Sequence, residues 1–258
     1  MRAAVASLLF ALAVSACDPF GTSEVFAEDA GATAPGTADG GGGASPADAG
    51  VPRDAGDGGG LSGALQLPAN ASTTEASSAN TSPFGGAGQR FQSVYGVPLL
   101  TALPNGATIT GMRLRLDGDA MSFKRENLMN FEVRLSTSKK PPGSLSQTFA
   151  DNRGSDEVIV RAGPLTIEPS DYPSGAKPNA FGKTIDFNLG TFTYRGGPLL
   201  LEVGATAVQS GRNVDNVSPS TQESQTVYGS GFSATRADGP PFFDLIVVEY
   251  TFTYPPTK

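Results

Sequence analysis

The chain has 258 residues, no histidine and a single cysteine, Cys17. Serine–histidine and cysteine–histidine nucleophiles, imidazole bases and ordinary zinc sites are therefore excluded together. Oxygen chemistry and aromatic contact remain, and three groupings could supply them. The first is Asp151-Asn152-Arg153-Gly154-Ser155-Asp156-Glu157, where Asp151, Asn152, Asp156 and Glu157 could offer oxygens to calcium alongside backbone carbonyls. The run lacks EF-hand spacing and holds Arg153 among its oxygens, so its composition favours a turn that caps its own backbone, with no metal or other cofactor. The second is a carboxylate pair drawn from Glu132, Glu202 and Glu249, since sugar cleavage needs two carboxyls roughly 5 to 10 Å apart. There is no Glu-x-Asp-x-x-Glu run and no tryptophan to stack on a sugar. A non-catalytic protein is expected, with these carboxylates in cross-strand pairs such as Glu132 with Arg113 or Arg115. The third is a set of loops that could display aromatic and basic groups: Phe84-Gly85-Gly86, Lys139-Lys140-Pro141-Pro142, Pro169 to Pro178 with Tyr172, and Gly239-Pro240-Pro241-Phe242-Phe243. Tyr172 and Phe242 are the conspicuous members, and loops at the ends of a sandwich are where such folds place recognition.

The elements that must carry these residues read as strands. Short apolar segments punctuated by Gly, Pro, Asn and Asp run from Phe84 to the end, without sustained helical periodicity. The clearest are Arg90 to Tyr95, Thr108 to Leu116, Phe131 to Ser136, Glu157 to Arg161, Thr184 to Tyr194 with a break at Gly190, Leu199 to Val203, Gln225 to Tyr228, and Phe243 to Tyr254. Met112, Leu114 and Leu116 alternate with Arg113, Arg115 and Asp117. Phe131, Val133 and Leu135 alternate with Glu132 and Arg134, Ile185, Phe187 and Leu189 with Asp186 and Asn188, and Ile246, Val248 and Tyr250 with Glu249. One dry and one wet face per strand predicts an all-β fold, an antiparallel two-sheet sandwich. Leu199-Leu200-Leu201 does not alternate, as expected of a central strand covered on both sides. About eight strands joined by several long connections suggest a jelly-roll-like arrangement over residues 63–258.

Residues 18–62 differ abruptly, being almost wholly Gly, Ala, Asp, Pro, Ser and Thr. So little apolar surface cannot offset the entropy of ordering, which predicts a disordered linker, spanning on the order of 35 to 40 Å as a coil. It holds eight acids against Arg53, a charge of −7 equal to that of the whole chain. Residues 63–258 carry 16 basic and 17 acidic side chains. The acidity thus belongs to the linker, and no clustered basic face suggests nucleic acid as a partner.

At the start, Arg2 precedes the twelve-residue apolar run Ala3 to Val14, too short for the roughly 20 residues that cross a bilayer. Residues 1–16 therefore read as a signal peptide. Val14-Ser15-Ala16-Cys17 resembles the lipobox of bacterial lipoproteins. That resemblance implies diacylglycerol on the Cys17 sulfur, removal of the residues before it, and membrane anchoring through two or more fatty chains such as palmitate. Asp18 follows, a residue that in enteric bacteria tends to retain lipoproteins in the inner membrane. The rule varies between bacterial groups, and the preferred expectation is an extracytoplasmic location at the outer membrane or cell surface.

A second resemblance lies in the folded part. Leu135 to Ser138, Pro141 to Ser146, Phe149 to Asn152, Gly154, Asp156, Val158 to Val160 and Gly163-Pro164-Leu165 form one block, and Phe192-Thr193-Tyr194 with Leu199 to Val203 a second. Together they are similar to a β-sandwich domain of secreted bacterial proteins that often carry a PEP-CTERM sorting signal. This chain has Arg195-Gly196 where that family has Asp-Pro, and Glu202 where it has Asp. It ends Tyr254-Pro255-Pro256-Thr257-Lys258 without a sorting helix, so Cys17 would provide the envelope address. The resemblance implies fold and setting and transfers no activity. The expected function is a non-catalytic binding or adhesion module at the cell envelope, with carbohydrate or another envelope protein as partner. The alternatives are a spacer lipoprotein without ligand and a carboxylate-dependent glycoside hydrolase.

Overall fold

A computed structural model describes residues 61–255 apart from 77, 81 and 219–222, with 78–80 given as backbone only. The expected signal peptide, Cys17 and nearly all of the expected linker lie outside these residues. Fifteen strands are present among them: β1 Leu61–Leu67, β2 Ser78–Asn80, β3 Gln89–Tyr95, β4 Thr108–Leu114, β5 Glu126–Leu128, β6 Phe131–Thr137, β7 Val158–Arg161, β8 Leu165–Ile167, β9 Ile185–Asp186, β10 Phe192–Thr193, β11 Leu199–Ala205, β12 Val214–Val217, β13 Ser224–Ser230, β14 Leu245–Ile246 and β15 Val248–Tyr254. One-turn helix α1 spans Phe149–Asn152. No described helix is long and apolar enough to cross a membrane.

Every strand pairing is antiparallel, as the alternation requires. One sheet has the order β1-β15-β4-β10, with β9 also on β4, and the other has β13-β3-β11-β6-β7. The chain passes repeatedly from one sheet to the other, giving an all-β, jelly-roll-like sandwich. Two smaller pieces, β14-β12-β2 and β5-β8, flank them. Between the main sheets lies one core, with Leu65, Ile109, Met112, Leu114, Val248 and Tyr250 from the first and Phe91, Tyr95, Phe131, Val133, Leu135, Leu199 and Leu201 from the second. Tyr95 and Tyr250 meet across it edge to face, 6.3 Å between centroids. Gly111 sits beside the irregularity at Thr251/Phe252, where a Cβ would come within 2.9 Å of Thr251 Oγ1.

β11 is the middle strand of its sheet and all seven of its residues are buried, the arrangement read from Leu199-Leu200-Leu201. Its outer face is roofed by residues 145–149 and 234–237, whose Leu145, Phe149 and Ala237 pack on Val94, Leu200 and Val227. The two roof segments hold each other through Ala237 N–H to the Gln147 carbonyl, 2.8 Å, and Phe149 N–H to the Thr235 carbonyl, 3.1 Å. This second layer puts part of a nominally wet sheet face inside the protein.

The structure corrects several sequence expectations. Among the described residues strands number fifteen rather than about eight, because β1, β2, β5, β8 and β12 carry weak patterns and two of the expected strands each divide in two. β1 begins at Leu61, two residues inside the expected linker, and its LSGALQL pairs along its whole length with β15. Thr184 to Tyr194 is two short strands, and once pairing stops after Asp186 the alternation lapses, leaving Leu189 exposed. Phe243 to Tyr254 divides at Val247 into β14 and β15, in different sheets. Arg115 and Glu249, expected on wet faces, are buried.

Candidate functional site

Successive residues of a strand face opposite ways, so Arg90 and Gln92 of β3, Glu132 and Arg134 of β6, and Glu202 of β11 come to one sheet face by register. Glu202 stands opposite Gln92 on one side and Arg134 on the other. Its side chain is 1% exposed. It accepts a bidentate pair from Arg153, 2.7 Å for both Nε and Nη2, and bonds from Gln92 Nε2 at 2.6 Å and from Arg90 Nη1. Arg90 also donates to Glu132, 2.9 Å, and to the Phe232 carbonyl, 2.8 Å, with its guanidinium over the Phe232 ring. Arg134 donates to Glu132, 2.8 Å, and to Glu157. Gly204 makes room for this, since a Cβ there would lie 2.8 Å from Arg90 Nη2.

The network ties β3, β6 and β11 to the connection between β6 and β7. Burial tends to raise the Glu202 carboxyl, but the bonds from Arg153 and Gln92 and the Arg153 charge outweigh it and hold its pKa below the usual range. Glu132 is likewise lowered, burial being overcome by Arg134 and Arg90. A glycosidase acid needs the opposite shift and an open approach to substrate. Glu249 is elsewhere, on β15, accepting from Arg113 at 2.7 Å and Gln66 at 2.9 Å. The expected pairing of Glu132 with Arg113 or Arg115 is corrected by topology, because β4 and β6 belong to different sheets.

The calcium candidates do not converge either. Asp151 accepts from Ser146 Oγ at 2.9 Å, while Asn152 is buried, donating to Gln92 Oε1 and to the Ser146 carbonyl at 2.8 Å each. Asp156 takes the Thr137 amide at 2.9 Å and its hydroxyl at 2.7 Å, and Glu157 binds Arg134. The run is a turn that stitches the end of β6 to the roof.

The aromatic loops separate into two kinds. Phe84 and Tyr172 are buried and form an edge-to-face trio with Phe123, centroids 5.2 to 5.4 Å apart. They are core, not display, and burial raises the Tyr172 phenol. Lys139 and Lys140 are exposed. Phe242 is 42% exposed and stacked on Tyr228 at 5.2 Å and 15°, with exposed Phe243 beside it. The backbone of Phe242 exchanges two hydrogen bonds with Thr226, fixing this segment along the outer edge of β13.

One further constellation escaped sequence reading. Glu75 on the β1–β2 connection, Asp117 after β4 and Asp215 on β12 bring carboxylate oxygens within 4.8 Å of one another. Arg115 is fully buried beside them, donating to Asp215 Oδ2, to the Ala71 carbonyl and, at 3.0 Å, to the Thr74 carbonyl. A cavity of about 180 Å³ bordered by Asn70, Thr74, Glu75 and Arg115 adjoins the group. Burial raises the Asp215 carboxyl to about 7, Arg115 opposing the shift and Glu75 reinforcing it. The three acids are far apart in sequence, and only an aspartate set among the apolar residues of β12 hinted at them. Comparison of the chain with protein-family models and with curated proteins found no match.

Proposed function

We propose that this chain is a lipid-anchored, extracytoplasmic β-sandwich that acts at the bacterial cell envelope as a non-catalytic binding module, taking carbohydrate polymer or another envelope protein along the β13 edge. The observation that carries the reading is Phe242, held flat against Tyr228 yet 42% exposed. Pinned, exposed aromatic rings offer contact area at little further entropic cost, and a flat ring suits the C–H faces of sugars. Two facts support the rest. Cys17, the sole cysteine, follows Val14-Ser15-Ala16 at the end of a short apolar run. The carboxylates best placed for hydrolysis, Glu132 and Glu202, are spent on arginines with lowered pKa.

The test is an expressed full chain compared with Cys17→Ser and Phe242→Ala. The parent chain incorporates labelled palmitate and sediments with membranes, and Cys17→Ser does neither. On a glycan array and on envelope extracts, Phe242→Ala loses retention while keeping the parent's unfolding temperature. Equal membrane partition of Cys17→Ser refutes the anchor, and equal retention by Phe242→Ala refutes the binding edge.

A further inference from the structure

We infer that Glu75, Asp117 and Asp215 form a calcium site that fastens the β1–β2 connection to the body of the sandwich. The geometry follows from each carboxylate using one oxygen on the protein. Glu75 Oε1 accepts from the Gly118 amide at 2.8 Å, Asp117 Oδ1 from the Asp119 amide at 2.9 Å, and Asp215 Oδ2 from Arg115. What is left over includes Glu75 Oε2 and Asp215 Oδ1, both buried and without a hydrogen-bond partner. The Asp215 side chain is 0% exposed, and a buried carboxylate oxygen facing nothing is costly. Oxygens bound to one calcium at 2.3 to 2.6 Å can lie at most about 5 Å apart, and these three carboxylates meet that limit, with oxygens all within 4.8 Å of one another.

Charge points the same way. Three carboxylates face Arg115, whose three nitrogens are already committed to Asp215 and two carbonyls. Lys177, also nearby, is exposed and pairs with Asp119. A divalent ion would offset the remaining negative charge, and the adjoining cavity has room for the waters that complete a calcium shell. An all-oxygen donor set without histidine or cysteine selects a hard cation over zinc or copper. Asp117, after β4, and Asp215, on β12, lie on segments already bridged by Asp117 N–H to the Asn213 carbonyl and Asp215 N–H to the Arg115 carbonyl, so the ion would fasten to them the connection that carries Glu75, which is otherwise held here through Arg115 and the Gly118 amide.

The experiment uses the full chain stripped with EDTA and titrated with calcium chloride, followed by calorimetry and thermal unfolding. One saturable site is expected, with a Kd on the order of 10⁻⁴ to 10⁻³ M, the range of extracellular calcium modules, together with a rise in unfolding temperature that EDTA reverses. Glu75→Gln and Asp117→Asn, at less buried positions, weaken binding at least tenfold, while Asp151→Asn leaves it unchanged. Absence of both heat and thermal shift in the parent chain overturns the inference, as does a Glu75→Gln chain that folds and binds calcium like the parent. Because the readouts need neither lipid nor a glycan, this result stands apart from the fate of the binding-edge reading.

Discussion

Replacing Glu202 by glutamine keeps the shape of the side chain and removes its charge. In the parent, this one carboxylate receives two bonds from Arg153 and one each from Gln92 and Arg90. Breaking a buried pair by removing one partner costs about 3 to 5 kcal/mol, because the remaining charge stays desolvated. Here Glu132 still holds Arg90 and Arg134, which places the expected cost near the lower end, about 3 kcal/mol. For a domain of this size each kcal/mol lowers the unfolding temperature by about 2 to 4 °C, so Glu202→Gln should unfold roughly 6 to 12 °C below the parent by circular dichroism. Glu157→Gln, at the open rim of the same network with a side chain 27% exposed, should cost about 0.5 to 1 kcal/mol. The pH dependence carries the sign. Glu202 and Glu132 have folded pKa values below the unfolded one, so their contribution is complete above about pH 4.5 and is lost as pH falls through the folded values. Urea midpoints of the parent should therefore fall from about pH 5 downward more steeply than those of Glu202→Gln. If Glu202→Gln is no less stable than Glu157→Gln, or if the two pH curves run parallel, the account of this network as the interior support of the sheet fails.

Two further substitutions probe other parts of the argument. Gly204→Ala puts a methyl group where the Arg90 guanidinium lies and should destabilise by about 1 to 3 kcal/mol as an overpacked site. Combining it with Arg90→Met should recover part of the loss, and a double-mutant cycle in urea with no coupling would contradict the contact. Tyr172→Ala should cost about 3 to 5 kcal/mol by leaving a void beside Phe84 and Phe123, whereas Phe242→Ala should cost under about 1 kcal/mol. A reversed order in chemical denaturation would return Tyr172 to the role of displayed loop residue.

What was readable from sequence was whatever depends on neighbours along the chain. The alternation of Met112, Leu114 and Leu116 with Arg113, or of Phe131, Val133 and Leu135 with Glu132, declares strands with one dry face. The unbroken Leu199-Leu200-Leu201 declares a middle strand, and β11 occupies that place. The absence of histidine already restricted the chemistry to oxygens and rings. Tertiary structure decided which strands are neighbours, and so which charges meet. Arg115 has the alternation of an outward residue, yet β12 and the β1–β2 connection close over it and supply Asp215. Glu202 looks like any exposed strand carboxylate until the roof from Leu145 to Asn152 covers that face. Tyr172 and Phe242 sit in similar Pro- and Gly-rich loops, and one is core while the other is displayed. Periodicity reports the side of a strand on which a residue lies, but burial depends on what distant segments lay over that side, and that information is spread through the whole fold.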